Sequence, residues 1–165
     1  MTKQFEATDD MLASKGQRFL NYCIDLIIIY IIISILTILL VAITVLAGNS
    51  AFYEWTQNIS TIENYLIFFS IHIPYYTLFE CYTSRTISKY ITKTMVVNED
   101  GSKLDLGTAF KRTLSRLIPF DGLTYLGNDR GWHDSIPDVY VVQKELFTEK
   151  MRLFNSFEEI GKSQE

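Results

Sequence analysis

Between Phe19 and Ala47 the chain runs for 29 residues with a single formal charge, Asp25, in a background dominated by isoleucine and leucine. A hydrocarbon core of about 30 Å takes roughly 20 helical residues, so this stretch is long enough to cross a membrane with tilt, or with one end outside the hydrocarbon. A cleavable signal sequence is the rival, because Val45-Leu46-Ala47 before Gly48 has small-residue character. Signal h-regions run about 7 to 15 residues, and this one is about twice that, with Arg18 and Asp25 at its start. The segment reads as an anchor.

A second apolar block, from Ile62 to Tyr82, is rich in aromatic residues and is interrupted by Glu63, His72, Pro74 and Glu80. Joined to the first by a short loop, it reads as a second span. That loop carries no Lys or Arg, whereas Lys3, Lys15 and Arg18 precede the first span and Arg85, Lys89 and Lys93 follow the second. Positive charge stays inside, so both termini are expected in the cytoplasm. Phe52, Tyr53 and Trp55 suit the outer interface. Asn58-Ile59-Ser60 has the form of a glycosylation acceptor, but its closeness to the membrane gives it little weight. Cys23 and Cys81 fall near the cytoplasmic ends of the spans, where a reducing compartment disfavours a disulfide; they read as small apolar residues.

The net charge of −4 conceals a division. Residues 81–116 hold seven basic and three acidic side chains, and residues 117–165 hold five and nine. The basic block therefore hugs the membrane. Within it, Asp105 is a helix cap, after which Leu106, Phe110, Leu114, Leu117 and Ile118 fall on one arc and Lys111, Arg112 and Arg116 on the other. The pattern predicts an interfacial helix on the inner leaflet, its apolar face down and its three basic residues toward lipid phosphates. A helix packed on protein with a solvated basic face is the alternative. The following "LIPFDGLTYL" is too short and interrupted for a third span. "TKTMVVNEDGSK" reads as a strand with an Asp-Gly turn, and "DVYVVQK" has the same β-branched character, so the two can pair into a ribbon under the membrane. From Glu145 onward, Leu146, Lys150, Leu153 and Phe157 are spaced for a surface helix. The expected architecture is thus an all-α integral membrane protein with two spans, about 19–47 and 62–82. Its cytoplasmic lobe carries the interfacial helix and short ribbon. The membrane domain takes residues 1–143 and a cytoplasmic tail 144–165.

An ionised Asp in a spanning helix costs about 2.5–3.5 kcal/mol on insertion scales, so Asp25 needs compensation. Arg18, seven positions earlier, lies only about 20° off the same helix face and roughly 10 Å along the axis. Asn21 and Tyr22 stand between them, giving the first turns a polar ladder in the cytoplasmic half of the membrane. His72, Tyr76, Phe79 and Glu80 likewise share a face of the second span.

Four blocks in order, "QRFLNYCIDL", "TSRTISKYITKTMVVNEDGSKL", "FKRTLSRLIPF" and "RGWHDSIPDVYVV", resemble the RDD family of prokaryotic membrane proteins over about residues 14–143. By motif the resemblance carries over as Arg18, Asp25 and Asp134. Two departures stand out. Ser84 and Ser88 replace glycines of the family's Gly-x-Thr-x-Gly-Lys stretch, which bears on any tight turn there, and Val139 stands where a Thr usually follows the terminal Asp. The resemblance implies a multi-pass protein of a prokaryotic plasma membrane. It brings no established activity, though transport has been suspected of such proteins.

Two readings of the trio stay open. As a clamp, Arg18 bridges Asp25 and Asp134 at the inner face, since a guanidinium serves two acceptors. As an ion or proton site, Asp25 works with His72 and Glu80. Trp132-His133-Asp134 invites a metal-site or hydrolase reading, but there are only two histidines, and no His/Cys spacing completes a ligand set. There is no nucleotide loop and no nucleophile with a base, so neither an enzyme nor a cofactor is expected. The basic block beside a membrane argues against nucleic acid. The lipid bilayer is the expected partner, and two helices cannot enclose a pathway, so transport of an ion or small molecule requires a homo-oligomer or membrane partner. A membrane-anchored adaptor, whose cytoplasmic lobe binds another protein, is the alternative function.

Overall fold

The computed structural model describes residues 5–118 and 131–162. Lys3 and most of the "LIPFDGLTYL" stretch lie outside the described residues.

Helix α1 spans Lys15–Leu46. It begins four residues before the apolar run because Ser14 caps it: the Gln17 amide donates to Ser14 Oγ, and the Ser14 amide donates to the Gln17 side chain. Only 6% of its most apolar window is buried inside the protein, so α1 is not the core helix of a soluble fold, and its length and composition suit a membrane crossing. The connecting segment is not a plain loop. It forms the short helix α2, Ala51–Gln57.

Helix α3, Thr61–Thr83, opens with the same device, Ser60 paired reciprocally with Glu63, and Trp55 Nε1 donates to Glu63 at 3.0 Å. It packs on α1 through Ile29, Tyr75 and Tyr76, flanked by Ile32, Phe68 and Phe79. Ser84 ends it in the left-handed conformation, φ 57°. This is where the family carries glycine, the residue that adopts such a turn without strain. Helix α4, Ile87–Ile91, follows at once.

Strand β1, Thr94–Asn98, pairs antiparallel with β2, Val139–Gln143, from Thr94 opposite Gln143 to Asn98 opposite Val139. The N-terminal segment seals this ribbon: Ala13 N donates to Val141 O, Ala7 N donates to Glu99 O, and Leu12 bridges Val142. Helix α7, Lys144–Lys162, continues directly from β2. Phe147 of α7 is buried with Phe5, Met11, Val97 and Val142, and Met151 and Phe154 pack against them. The segment after residue 143 is therefore docked on the ribbon rather than hanging from it.

The amphipathic segment is helix α5, Leu106–Ser115, capped by Asp105 through the Gly107 and Thr108 amides. Its orientation corrects the expectation. Arg112 is 0% exposed and Arg116 is turned inward, while Leu106, Phe110 and Leu114 are 57%, 43% and 41% exposed. The basic face packs on α3 and the apolar face points outward, with only Lys111 left at the surface. Arg112 and Arg116 are thus not membrane-surface cations. Burying the charges this way requires protein partners for them, which α3 and the residues around Asp134 supply. Tyr76 of α3 meets Arg116, Thr77 meets Thr113 and Glu80 meets Arg112, so α5 runs antiparallel to α3, back along its last two turns. Helix α6, Trp132–Ser135, closes the far side of this pair.

Candidate functional site

The buried residues of α1 are Arg18, Asn21, Asp25 and Ile29, a single stripe at near-heptad spacing. Tyr22, expected on that stripe, is instead exposed. Each polar member of the stripe has a different destination.

Asn21 ties α1 to the ribbon. Its Nδ2 donates to Thr94 Oγ1 at 3.0 Å, and its Oδ1 accepts from Thr92 Oγ1 at 2.6 Å.

Asp25 is 1% exposed, and its donors among the described residues are all neutral. Tyr75 OH donates to Oδ1 at 2.8 Å, Thr86 Oγ1 donates to Oδ2 at 2.7 Å, and the Ser88 amide donates to Oδ1 at 3.3 Å. Thr86 and Ser88 lie 2.9 Å apart, hydroxyl to hydroxyl, so the carboxylate sits on the entry to α4. The serine at 88 keeps the amide that the family's glycine would offer and adds a second hydroxyl to the cluster. Arg18 does not ion-pair with Asp25, which corrects the expected bridge between them.

The bridging guanidinium belongs to Arg112. Its Nε and Nη2 both donate to Asp134 Oδ1, at 3.0 and 2.5 Å, and its Nη1 donates to Glu80 Oε1. Arg18 joins from the α1 side, Nη1 standing 4.0 Å from Asp134 Oδ2. His133 Nε2 lies 3.4 Å from Asp134 Oδ1. Burial opposes ionisation of Asp134, but the charges of His133, Arg112 and Arg18 outweigh it and hold this carboxyl below its ordinary value.

Glu80, fully buried, collects three cations on one oxygen: Arg112, Lys89 Nζ at 3.0 Å, and Arg116 at 3.4 Å. The Arg116 guanidinium also lies 4.4 Å from the Tyr76 ring centroid. Lys89 is the joint between the two halves of the site, because its Nζ also donates to Thr86 Oγ1 at 3.3 Å, one hydroxyl away from Asp25. Burial pulls the Lys89 ammonium below its ordinary value, although Glu80 resists this.

His72 is buried but makes no hydrogen bond with Asp25 or Glu80. It stacks between Phe68 at 5.2 Å and Tyr76 at 4.8 Å, and its Nδ1 has no hydrogen-bond partner among the described residues. Arg18, Glu80 and Asp134 are therefore gathered into one ion cluster, Asp25 adjoins it through Thr86 and Lys89, and His72 lies a turn or more away along α3. Reasoning from sequence overlooked Arg112 as the bridge, together with Lys89, Tyr75 and Thr86. Arg112, Lys89 and Thr86 stand inside the family-like blocks, whereas Tyr75 lies outside them, in the aromatic-rich second apolar block. Cys23 and Cys81 are both free thiols. Among the described residues no three His, Cys, Asp or Glu side chains gather as a metal-ligand set.

No curated protein and no solved structure matches the chain significantly. The RDD family model matches residues 12–154, from the approach to α1 well into α7, with Arg18, Asp25 and Asp134 all inside the match. The chain belongs to the RDD family of membrane proteins, a family of unknown function.

Proposed function

We propose that the chain is a two-span membrane protein, with both ends on the cytoplasmic side, that moves a proton or cation as an oligomer or with a membrane partner, and that Asp25 is the exchanging carboxylate. The observation that carries this reading is the contrast between the three buried acids. Glu80 and Asp134 are each ion-paired with guanidinium or ammonium groups, whereas Asp25 meets, among the described residues, two hydroxyls and one amide and no cation. A carboxylate locked by Arg is a poor exchanger, since losing its charge strands the cation. One held by hydroxyls can take up a proton or a cation while its donors turn. In this division of labour Arg112 supplies the clamp and leaves Asp25 available.

Support for a second span comes from α3, which is 23 residues long, free of Lys and Arg, and exposes Ile62, Tyr65, Leu66 and Tyr82. On the outer side a cavity of about 580 Å³ opens between α1, α2 and α3 above Phe68. The stack of Phe68, His72 and Tyr76 lies between it and the ion cluster, which makes His72 the titratable group on that line.

The test is proton and cation flux in proteoliposomes. Asp25→Asn should abolish flux while the purified oligomer forms at normal yield. Topology is checked by single cysteines at Ser50 and Ser102 in a Cys-free background: an impermeant thiol reagent on intact cells should label position 50 alone. Wild-type protein with no flux of protons, sodium or potassium would favour the adaptor reading. The feature that favours the adaptor is on α7, where Leu153 and Phe157 are exposed on the side away from the ribbon.

A further inference from the structure

Arg85 follows α3 directly and is only 9% exposed, yet its guanidinium has no carboxylate partner among the described residues. Among the described residues its guanidinium lies over the ring of Tyr90, 5.1 Å from the centroid, and one of its nitrogens, Nη2, is buried without a hydrogen bond. A buried guanidinium without a counterion is costly, because it has left water without regaining acceptors. Among the described residues the buried cations Arg18, Lys89 and Arg112 each stand beside an acid, so Arg85 is the exception that calls for a ligand.

It lines a groove of about 610 Å³ between α4 and the first turns of α7. Lys93, Lys144 and Arg152 border the same groove, against Glu145 and Glu149. Lys93 and Glu145 neutralise each other at 2.8 Å, which leaves Arg85, Lys144 and Arg152 facing one acid. Tyr90, which lines the groove, is exposed, as are Ile87 and Ile91 of the same helix and Tyr82 at the end of α3. Such residues belong at the level of lipid headgroups, just outside the hydrocarbon that α3 would occupy.

We propose that this groove binds a phosphate group, with Arg85 as the fixed donor and Lys144 and Arg152 as the mobile ones. A guanidinium presents a planar fork that matches phosphate oxygens, and the ring of Tyr90 holds that fork in place. The phosphate belongs either to an anionic lipid headgroup reached from the bilayer or to a phosphorylated solute reached from water. Both present the same chemistry to the groove.

The experiment uses full-length protein in mild detergent, with native mass spectrometry to count retained phosphatidylglycerol or phosphatidylcholine, and calorimetric titration with inorganic phosphate. The expected result is preferential retention of phosphatidylglycerol, weakened about tenfold by Arg85→Gln, the loss of one charge-assisted contact. Titratable binding of inorganic phosphate with the same dependence on Arg85 would identify a soluble phosphorylated ligand as the source. Failure of both probes to bind, or binding indifferent to Arg85→Gln, overturns the proposal. If Arg85→Gln does not fold, the double variant Lys144→Gln with Arg152→Gln, both on exposed positions, decides: weakened binding sustains the site, and unchanged binding overturns it.

Discussion

Arg112 gives two of its donors to the same oxygen of Asp134 and the third to Glu80, so one side chain from α5 fastens α6 to α3. Removing one partner from a buried ion network leaves uncompensated charge behind, at a cost of about 3–5 kcal/mol. Arg112→Leu should therefore sharply lower the yield and melting temperature of the purified protein. Lys111→Gln, one position earlier and exposed, should leave both unchanged. Arg18→Leu should fall between them, because Arg18 approaches Asp134 only at 4.0 Å. Equal effects of Arg112→Leu and Lys111→Gln would refute the clamp.

Tyr75 is the test of how Asp25 is held. Tyr75→Phe removes one hydroxyl donor at 2.8 Å and should cost about 1–2 kcal/mol. Asp25→Asn keeps an acceptor for Tyr75 and for the Ser88 amide, so it should be milder in melting temperature than Arg112→Leu. The comparison is made by thermal unfolding of the three variants in one detergent.

Acid should act through Asp134. Its folded value lies below the ordinary 3.8, so folding favours the charged form. The stabilisation is complete above that ordinary value and is lost as pH falls toward the folded one. The melting temperature should accordingly hold from neutrality to about pH 4 and fall below it. Asp134→Asn should start lower and lack this part of the acid dependence. A wild-type curve that already declines near pH 6 would contradict the assignment.

At Ser84 a gain is expected. Its φ of 57° is unfavourable for any residue with a β-carbon, and its buried hydroxyl has no hydrogen-bond partner among the described residues. Ser84→Gly should relieve the turn and remove the unpaired hydroxyl. The gain, reduced by the greater freedom of glycine in the unfolded chain, is about 1 kcal/mol. The Ser84 carbonyl, which accepts from Val96 N at 2.8 Å, is unaffected by the change. A lower melting temperature for Ser84→Gly would show that its side chain has a role.

The stripe on α1 was legible because a helix in hydrocarbon has only one place for Arg18, Asn21 and Asp25, and spacing alone puts them there. The strands were legible from β-branched runs, and the cap of α5 from Asp105, whereas the caps at Ser14 and Ser60 emerge from the structure. The choice of partners was not. Periodicity shows that α5 has a basic and an apolar face, but it is silent on which face meets protein, and here it is the basic one. The site is assembled across long separations, with Asp25 meeting Thr86 and Arg112 meeting Asp134. Among several buried acids and bases, sequence distance does not rank the pairings. Arg18 is near Asp25 along one helix, whereas tertiary packing brings Asp25 the hydroxyls of Tyr75 and Thr86.

The separations within the ion cluster also fix an order of synthesis. Glu80 finds Lys89 nine residues later, but Arg112 only after 32. As the chain leaves the ribosome, the first cation within reach of the carboxylate on α3 is therefore the Lys89 ammonium. The second cation arrives when α5 folds back, bringing an acceptor-hungry guanidinium that is satisfied only once Asp134 has been translated. A chain stopped before Asp134 would thus hold Glu80 for Arg112 but lack the guanidinium's second acceptor.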